Sequence, residues 1–237
     1  EFMRDGIVEP LDETLTPWPA DIFPGYDVKI EGKRWGIPHM GATLILYYNK
    51  DQFKEAGLDP EKGPATWDEL VTKGKALTNP AKNQFGIALT TAHAGFTLAL
   101  WKAFLQQAGG KILSDDLTKA AFNSPAGLEA LTFFVDLFQK HKIASLTNMD
   151  SSGIWNLYKA GGASMVMQYS GAIGGLSQMT FKPGVAEPPM GKVKSSNLAA
   201  NYFPFLKGGN RQGLAAFANW FIEPKQIADW VSKTGCL

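Results

Sequence analysis

Between residues 43 and 57, an apolar run gives way abruptly to a more polar segment that begins with Asn49 and ends with Gly57. Residues 43–48 are rich in β-branched and aromatic side chains, which favours a buried strand. Asn49 follows at once and is a residue type that caps helix N-termini, so a short helix is predicted over residues 50–56. Gly57 is expected to end that helix, because glycine readily adopts the left-handed conformation found at helix C-termini.

A second helix start lies at Thr66, nine residues after Gly57. Thr66 and Glu69 stand three positions apart, which is the spacing of a capping box, and they predict a helix over residues 66–78. Other helices are predicted over residues 96–107, 154–160 and 212–220.

The longest predicted helix covers residues 122–141. Ser124 is a suitable N-cap, and Pro125 suits the first helical position because its fixed backbone angle matches the helix. Apolar residues then recur at helical spacing, as in an amphipathic helix with an apolar stripe. The stripe consists of Leu128, Leu131, Val135 and Phe138.

Short apolar runs between these helices predict further strands. The runs lie at residues 85–89, 163–168 and 197–205. Residues 28–38 predict a hairpin, because a turn signal at residues 31–33 separates two short arms. Helices and strands alternate along the chain, so the predicted fold class is α/β.

Composition excludes several classes of partner. The 237 residues are 45% hydrophobic and 19% charged, which is ordinary for a globular protein. Lys and Arg number 23 against 22 Asp and Glu, so no net field attracts nucleic acid, and no nucleic-acid partner is expected. No apolar run reaches the roughly 20 residues that span a bilayer. The single cysteine, Cys236, forms no intrachain disulfide.

Motifs that would indicate enzymatic chemistry are absent from the sequence. His39, His93 and His141 lie far apart and none is at metal-ligand spacing, so no metal site is predicted. No phosphate-binding or dinucleotide-binding glycine motif occurs, so no cofactor is predicted. Ser170 lacks a nucleophile elbow because Gln168 occupies the first glycine position. A pair of glycosidase carboxylates, about 5–10 Å apart, could still come from residues distant in the sequence.

Several blocks of sequence, in the same order, carry a family resemblance. They read EFMRDGIVEPLDE, KRWGIPHMGATLILYYNKDQFKEAGLDP, TWDELVTKGKAL, FNSPAGLEALTFFVDL, LYKAGGASMVMQYSG and GLAAFANWFIEPKQIADWVSKTGCL. Together they resemble the extracellular solute-binding proteins of sugar-type ABC importers, the family 1 group that includes maltose-binding and glycerol-phosphate-binding proteins.

The resemblance implies a two-lobe periplasmic-binding-protein-like fold of type II. Residues 1–43 and 190–237 would form lobe one, and residues 44–189 would form lobe two. Compared with the family pattern, the chain is expected to be truncated at both ends, so that lobe one is incomplete and an export signal lies outside this chain.

The resemblance also implies a function without catalysis. The protein would capture a carbohydrate or sugar-phosphate-like solute in a cleft between the lobes and deliver it to the membrane subunits of an ABC permease. It would act as a monomer, in the periplasm or anchored outside the cytoplasmic membrane.

The ligand-binding residues implied by the resemblance come from loops and strand ends. They are Met40, Gly41, Ala42, Thr43, His93, Phe96, Gln168, Tyr169, Ser170, Gly171, Ala200 and Asn201. Sugars present an apolar face and a rim of hydroxyls, so their sites combine an aromatic ring with fixed polar partners. Tyr169 and Phe96 suit the ring, and the polar residues of the set suit the rim.

Some of these residues have other interpretations. Phe96 begins an apolar helix and could be a core residue, His93 could be an exposed loop histidine, and Asn201 could bind only local backbone. The role of Trp155 is open. Maltose-binding members carry a tryptophan near the Gly171 position, and its absence here leaves room for a ligand of different shape.

Two other functions remain open from the sequence. One is a glycoside hydrolase or lyase whose carboxylate pair is formed by residues far apart in the chain. The other is a sensor that binds a solute and signals to a membrane receptor instead of a permease.

Overall fold

Strands and helices alternate along the described chain, as the sequence predicted. The computed structural model of the protein describes residues 2–12, 22, 24–145 and 149–234. The strands in these ranges are β1 Val8–Glu9, β2 Gly36–Asn49, β3 Met165–Tyr169, β4 Pro183–Ala186 and β5 Leu198–Leu206. The α-helices are α1 Lys50–Glu55, α2 Trp67–Leu77, α3 Ala94–Gln107, α4 Pro125–Gln139, α5 Ser151–Lys159, α6 Arg211–Phe221 and α7 Pro224–Thr234. Of the helices in the described ranges, none is long and apolar enough to cross a bilayer.

The chain divides into two units, and the long strand β2 runs from one into the other. The first unit comprises Glu1–Ala42 and Leu198–Leu237, and the second comprises Thr43–Asn197. In the first unit the strand order is β1-β5-β2, with Val8 opposite Leu206 in an antiparallel pair. A small core fills this unit, formed by Leu11, Ile37, Phe205, Ala218 and Phe221.

In the second unit, β2 lies between two antiparallel partners. Leu44 is opposite Tyr169 of β3, and Leu46 is opposite Ala186 of β4. Both edges of β2 are paired here, and core residues cover its faces, so that Leu44, Leu46 and Tyr47 are fully buried. The strand predicted over residues 43–48 is therefore confirmed and is longer than predicted.

The local helix signals are confirmed where their partners lie within a few residues. Asn49 Oδ1 accepts from the backbone N–H groups of Asp51 and Gln52 at 3.0 and 3.1 Å, and Gly57 has a φ of +73° just after α1. Ser124 Oγ accepts from Gly127 N–H at 3.2 Å and starts α4.

The capping box at α2 forms only in part. Thr66 Oγ1 accepts from Glu69 N–H at 3.2 Å, as predicted. The Glu69 carboxylate, however, accepts from the N–H of Ala65 at 3.1 Å rather than from that of the cap residue. The helix start is therefore held by a variant of the predicted box.

The apolar stripe predicted on α4 is largely on the exposed side of the helix. Leu128, Leu131 and Val135 are 69%, 49% and 43% exposed. Phe138 is the one residue of the predicted stripe that is buried, and it shares the buried face with Ala130, Phe134 and Leu137. Aromatic packing explains the choice: Phe133 stacks on Trp67 of α2 at 4.1 Å and lies edge-on to Phe104 of α3 at 5.3 Å between ring centroids.

Two predicted strand segments are reduced to single bridges. Residues 85–89 form three isolated parallel bridges rather than a continuous ladder: Phe85 with Ala163, Ile87 with Ala144 and Ala88 with Val166. The predicted hairpin at residues 28–38 keeps its turn, with positive φ at residues 31 and 32, but only one bridge forms, between Ile30 and Lys33.

Close backbone packing explains a glycine at position 86. A Cβ built on Gly86 would lie 2.7 Å from Gly74 Cα and 2.8 Å from Gly74 C, both backbone atoms of α2. No side-chain rearrangement can relieve that overlap, so the segment at residues 85–89 can approach α2 only with glycine here.

We expect the Gly86→Ala variant to lose about 1–3 kcal/mol of unfolding free energy, the usual cost of overpacking. Gly174→Ala is the matched control, because nothing lies within 4 Å of the added Cβ there. Urea unfolding of the two variants and the parent chain measures both effects, and equal midpoints for the two variants would contradict the packing described.

Candidate functional site

Tyr169 is the centre of the candidate site in the second unit. It is the last residue of β3, and the helical turns of Ser170–Gln178 follow at once. The Tyr169 ring lies edge-on to Phe96, with centroids 5.6 Å apart and planes at 76°. Its hydroxyl oxygen accepts from Asn197 Nδ2 at 2.9 Å. An aromatic ring with one fixed hydroxyl is thereby held at the end of a strand.

Burial controls the protonation of the Tyr169 hydroxyl. Burial raises the pKa of Tyr169 above its ordinary value, and the hydrogen bond from Asn197 acts more weakly in the opposite direction. The hydroxyl therefore keeps its proton at neutral pH and remains a hydrogen-bond donor as well as an acceptor.

Three hydroxyl side chains join the chain segments beside Tyr169. Thr43 N–H donates to Ser170 Oγ at 3.3 Å, and Thr43 Oγ1 donates to Ser196 Oγ at 3.0 Å. Ser196 Oγ in turn donates to the Leu44 carbonyl at 2.6 Å. Together with Tyr169 and Asn197, these residues form what we call the hydroxyl–amide cluster: Thr43, Tyr169, Ser170, Ser196 and Asn197. All five side chains are uncharged.

The buried Tyr47 binds the backbone where β3 ends and the helical turns begin. The single hydrogen of the Tyr47 hydroxyl is shared between the carbonyl oxygens of Tyr169 and Ser170, at 3.1 and 3.2 Å from the Tyr47 oxygen. Burial raises the pKa of Tyr47 well above its ordinary value, so this donor is protonated at neutral pH. Trp155 lies edge-on to the Tyr47 ring at 5.1 Å, which gives it a packing role in the core.

A cavity of about 540 Å³ borders the cluster. Of the cluster residues, Thr43 and Ser196 line it, whereas Tyr169, Ser170 and Asn197 do not. Glu187 and Lys194, which pair at 2.6 Å, also form part of its wall. Both partners of that ion pair are well exposed, so it contributes little to stability. The volume lies within the usual range for small-molecule sites.

Other predicted site residues in the second unit have structural partners of their own. His93 is exposed and caps α3, with Nδ1 accepting from Phe96 N–H at 3.1 Å. Phe96 is only 6% exposed and packs in the core. Gln168 accepts from Tyr169 N–H at 3.0 Å and donates to the Ser151 carbonyl at 3.1 Å. The half-buried Gly171 lies in the turn after Tyr169. Ligand contacts by these residues stay predictions.

The remaining predicted residues lie in the first unit. Met40, Gly41 and Ala42 follow one another on β2, and Ala200 with the exposed Asn201 lies on β5. A Cβ at Gly41 would overlap the hydroxyl and ring of Tyr26, so Gly41 makes room for that side chain. Met40 and Gly41 also line an apolar cavity of about 590 Å³ together with residues of α6 and α7. Joint binding by residues of both units stays a prediction.

The structure adds binding candidates that the sequence did not single out. Ser196 and Asn197 complete the cluster, and Asn197 is 7% exposed. Within the described ranges, no group of three or more His, Cys, Asp or Glu side chains could hold a metal ion. The cluster therefore offers an aromatic ring with neutral donors and acceptors, an arrangement suited to hydrogen bonding a polar solute.

Comparisons with known proteins identify the family of the chain. The sequence profile of a family described as bacterial extracellular solute-binding protein matches residues 1–228. A probable amino-acid ABC transporter periplasmic-binding protein from Sinorhizobium fredii is 29% identical over 73% of this chain and 42% of its own length. The sn-glycerol-3-phosphate-binding periplasmic protein UgpB of Salmonella typhimurium is 26% identical over 84% of this chain and 48% of its own.

Solved structures give the same result for the fold. A solute-binding protein of an ABC transporter from Thermotoga lettingae, bound with alpha-D-tagatose, superposes with a TM-score of 0.87 at 28% identity. The match covers all of this chain and 63% of that one. The chain thus spans about half the length of the two sequence relatives and under two thirds of the structural one. The α/β solute-binding-protein fold and the family resemblance predicted from the sequence are confirmed. This chain belongs to the bacterial extracellular solute-binding protein family.

Proposed function

We propose that this chain is the substrate-binding component of an ABC importer and that it captures a carbohydrate-like solute without changing it chemically. The observation that carries the proposal is the hydroxyl–amide cluster around the Tyr169 ring, in a chain of this family. The ring suits the apolar face of a sugar, and the neutral hydroxyl and amide groups suit its hydroxyl rim.

Charge favours a neutral polyol over a phosphate or an amino acid. The five side chains of the cluster carry no charge, and the nearby Lys194 already pairs with Glu187 at 2.6 Å. A bound phosphate or carboxylate would have to be desolvated with no free cation from the cluster to compensate it. The named ligands of the relatives differ, from glycerol phosphate to D-tagatose, so the solute must be tested directly.

The absence of catalysis is part of the proposal. A glycoside hydrolase needs two carboxyl groups about 5–10 Å apart on either side of the scissile bond. The hydroxyl–amide cluster contains no carboxyl group, and the relatives named above are binding proteins. By analogy with these periplasmic and ABC-transporter relatives, we place the protein outside the cytoplasmic membrane with an ABC permease as its partner. We propose in addition that it acts as a monomer. A receptor-coupled sensor is the alternative partner arrangement.

We expect a neutral sugar to stabilise the protein with one-to-one stoichiometry. The panel is D-tagatose, maltose, sn-glycerol-3-phosphate and L-leucine, tested by calorimetry and thermal unfolding. At 100 times Kd, a ligand adds about 2.7 kcal/mol, which raises Tm by roughly 5–10 °C for a chain of this size.

Chromatography of the same mixtures separates binding from catalysis. The sugar should be recovered unchanged after prolonged incubation with the protein. Release of a hydrolysis product would contradict a binding function, and preferential binding of sn-glycerol-3-phosphate would contradict the choice of a neutral solute.

We expect Tyr169→Ala to weaken binding of the responding sugar by about tenfold or more, because the ring and its hydroxyl are both lost. The matched control is Phe122→Ala, which removes an exposed ring of the same unit that belongs to no predicted site. Calorimetric titration measures Kd for each variant. Unchanged affinity in Tyr169→Ala would remove Tyr169 from the binding site.

A further inference from the structure

The backbone at Asn197 is held in place by hydrogen bonds that do not use the side-chain amide. It is the last residue of the second unit, and its backbone carbonyl accepts from Leu44 N–H at 3.0 Å. The neighbouring Ser196 hydroxyl is bonded to the Leu44 carbonyl. These bonds hold the segment against β2 without using the Asn197 amide, which is free to point at Tyr169.

The bond between Asn197 and Tyr169 sets the direction of the Tyr169 proton. A tyrosine hydroxyl has one hydrogen, and its oxygen here accepts from Asn197 Nδ2 at 2.9 Å. Because the amide N–H occupies that lone pair, the tyrosine hydrogen must point elsewhere. Among the described residues, none accepts it, and none donates to Asn197 Oδ1. The Tyr169 O–H, a donor, and Asn197 Oδ1, an acceptor, therefore lie close together, and neither has a hydrogen-bond partner for that role among the described residues.

The unused hydrogen-bonding capacity of Asn197 can be met only from outside the described fold. Asn197 is 7% exposed overall. Its Oδ1 accepts from no described residue and yet is not a fully buried atom, so this oxygen is open to solvent. The pair is therefore placed to bind something polar from outside the fold.

We propose that Asn197 and Tyr169 together recognise one hydroxyl group of the bound solute, an inference that rests on the proposed function. The Tyr169 O–H donates to the solute hydroxyl oxygen, and that hydroxyl donates its own hydrogen to Asn197 Oδ1. The Asn197 amide fixes the direction of the tyrosine donor, so Asn197 determines specificity for a hydroxyl over a group that can only accept or only donate.

The decisive variant is Asn197→Asp, which keeps the size and shape of the side chain. Its carboxylate accepts from the Tyr169 hydroxyl and takes the hydrogen that the solute needs. Tyr169→Phe removes the same hydrogen and keeps the ring. The ligand is D-tagatose or maltose, whichever stabilises the parent chain. We expect each variant to bind that sugar about tenfold more weakly than the parent chain does. The double variant should be no weaker than either single variant, because both remove one shared donor.

The control is Asn156→Asp, which places the same change on the exposed face of α5 in the same unit. It should bind as the parent chain does. If Asn197→Asp also binds as the parent chain does, this inference is overturned and the proposed function stands. If the parent chain binds neither sugar, the proposed function fails and the inference falls with it.

A spectroscopic measurement covers the case in which Asn197→Asp does not fold. In the otherwise unchanged chain, 3-fluorotyrosine replaces Tyr169, and its ¹⁹F signal reports on the hydroxyl environment. Saturation with the responding sugar should shift that signal, whereas an unshifted signal at saturation would overturn the inference.

Discussion

The candidate site depends on one buried hydroxyl, that of Tyr47. Its single hydrogen is shared between two successive carbonyl oxygens, those of Tyr169 and Ser170, just where β3 gives way to helical turns. A carbonyl left unpaired in the interior costs about 1–3 kcal/mol, so these two bonds stabilise one conformation of the turn. That conformation presents the Tyr169 ring, places its hydroxyl near Asn197, and brings Ser170 Oγ to the Thr43 N–H. The bonds of Ser196 with Thr43 and with the Leu44 carbonyl complete the cluster from the other side.

The cluster contains the two residues at which the chain enters and leaves the second unit. Thr43 and Asn197 are the first and last residues of the second unit, so the cluster lies where the chain enters and leaves that unit. Hydrogen bonds within the unit tie these crossing points to each other through Ser196 and Leu44. A solute held by Tyr169 would thus bind next to both crossings.

Local sequence signals predicted most of the elements but not the packing between them. Asn49 and Ser124 were predictable as caps because each binds a backbone group within three residues. The buried face of α4 was not, because apolar residues occupy both sides of the helix and the outcome depends on Trp67 and Phe104, which lie far away in the chain. In the candidate site, Tyr169 and Ser170 could be predicted from a local signal, because Tyr169 ends a strand and Ser170 begins the turns that follow. Asn197 and Ser196 bind partners 28 and 152 residues away, and no spacing in the sequence records such contacts.

A crystal structure of the protein grown with the sugar it binds would show whether an intact polyol occupies the hydroxyl–amide cluster. We expect an uncleaved sugar lying against the Tyr169 ring, with one hydroxyl within hydrogen-bond distance of both the Tyr169 hydroxyl and Asn197 Oδ1. A sugar bound away from these residues, or found as cleaved fragments, would contradict this expectation.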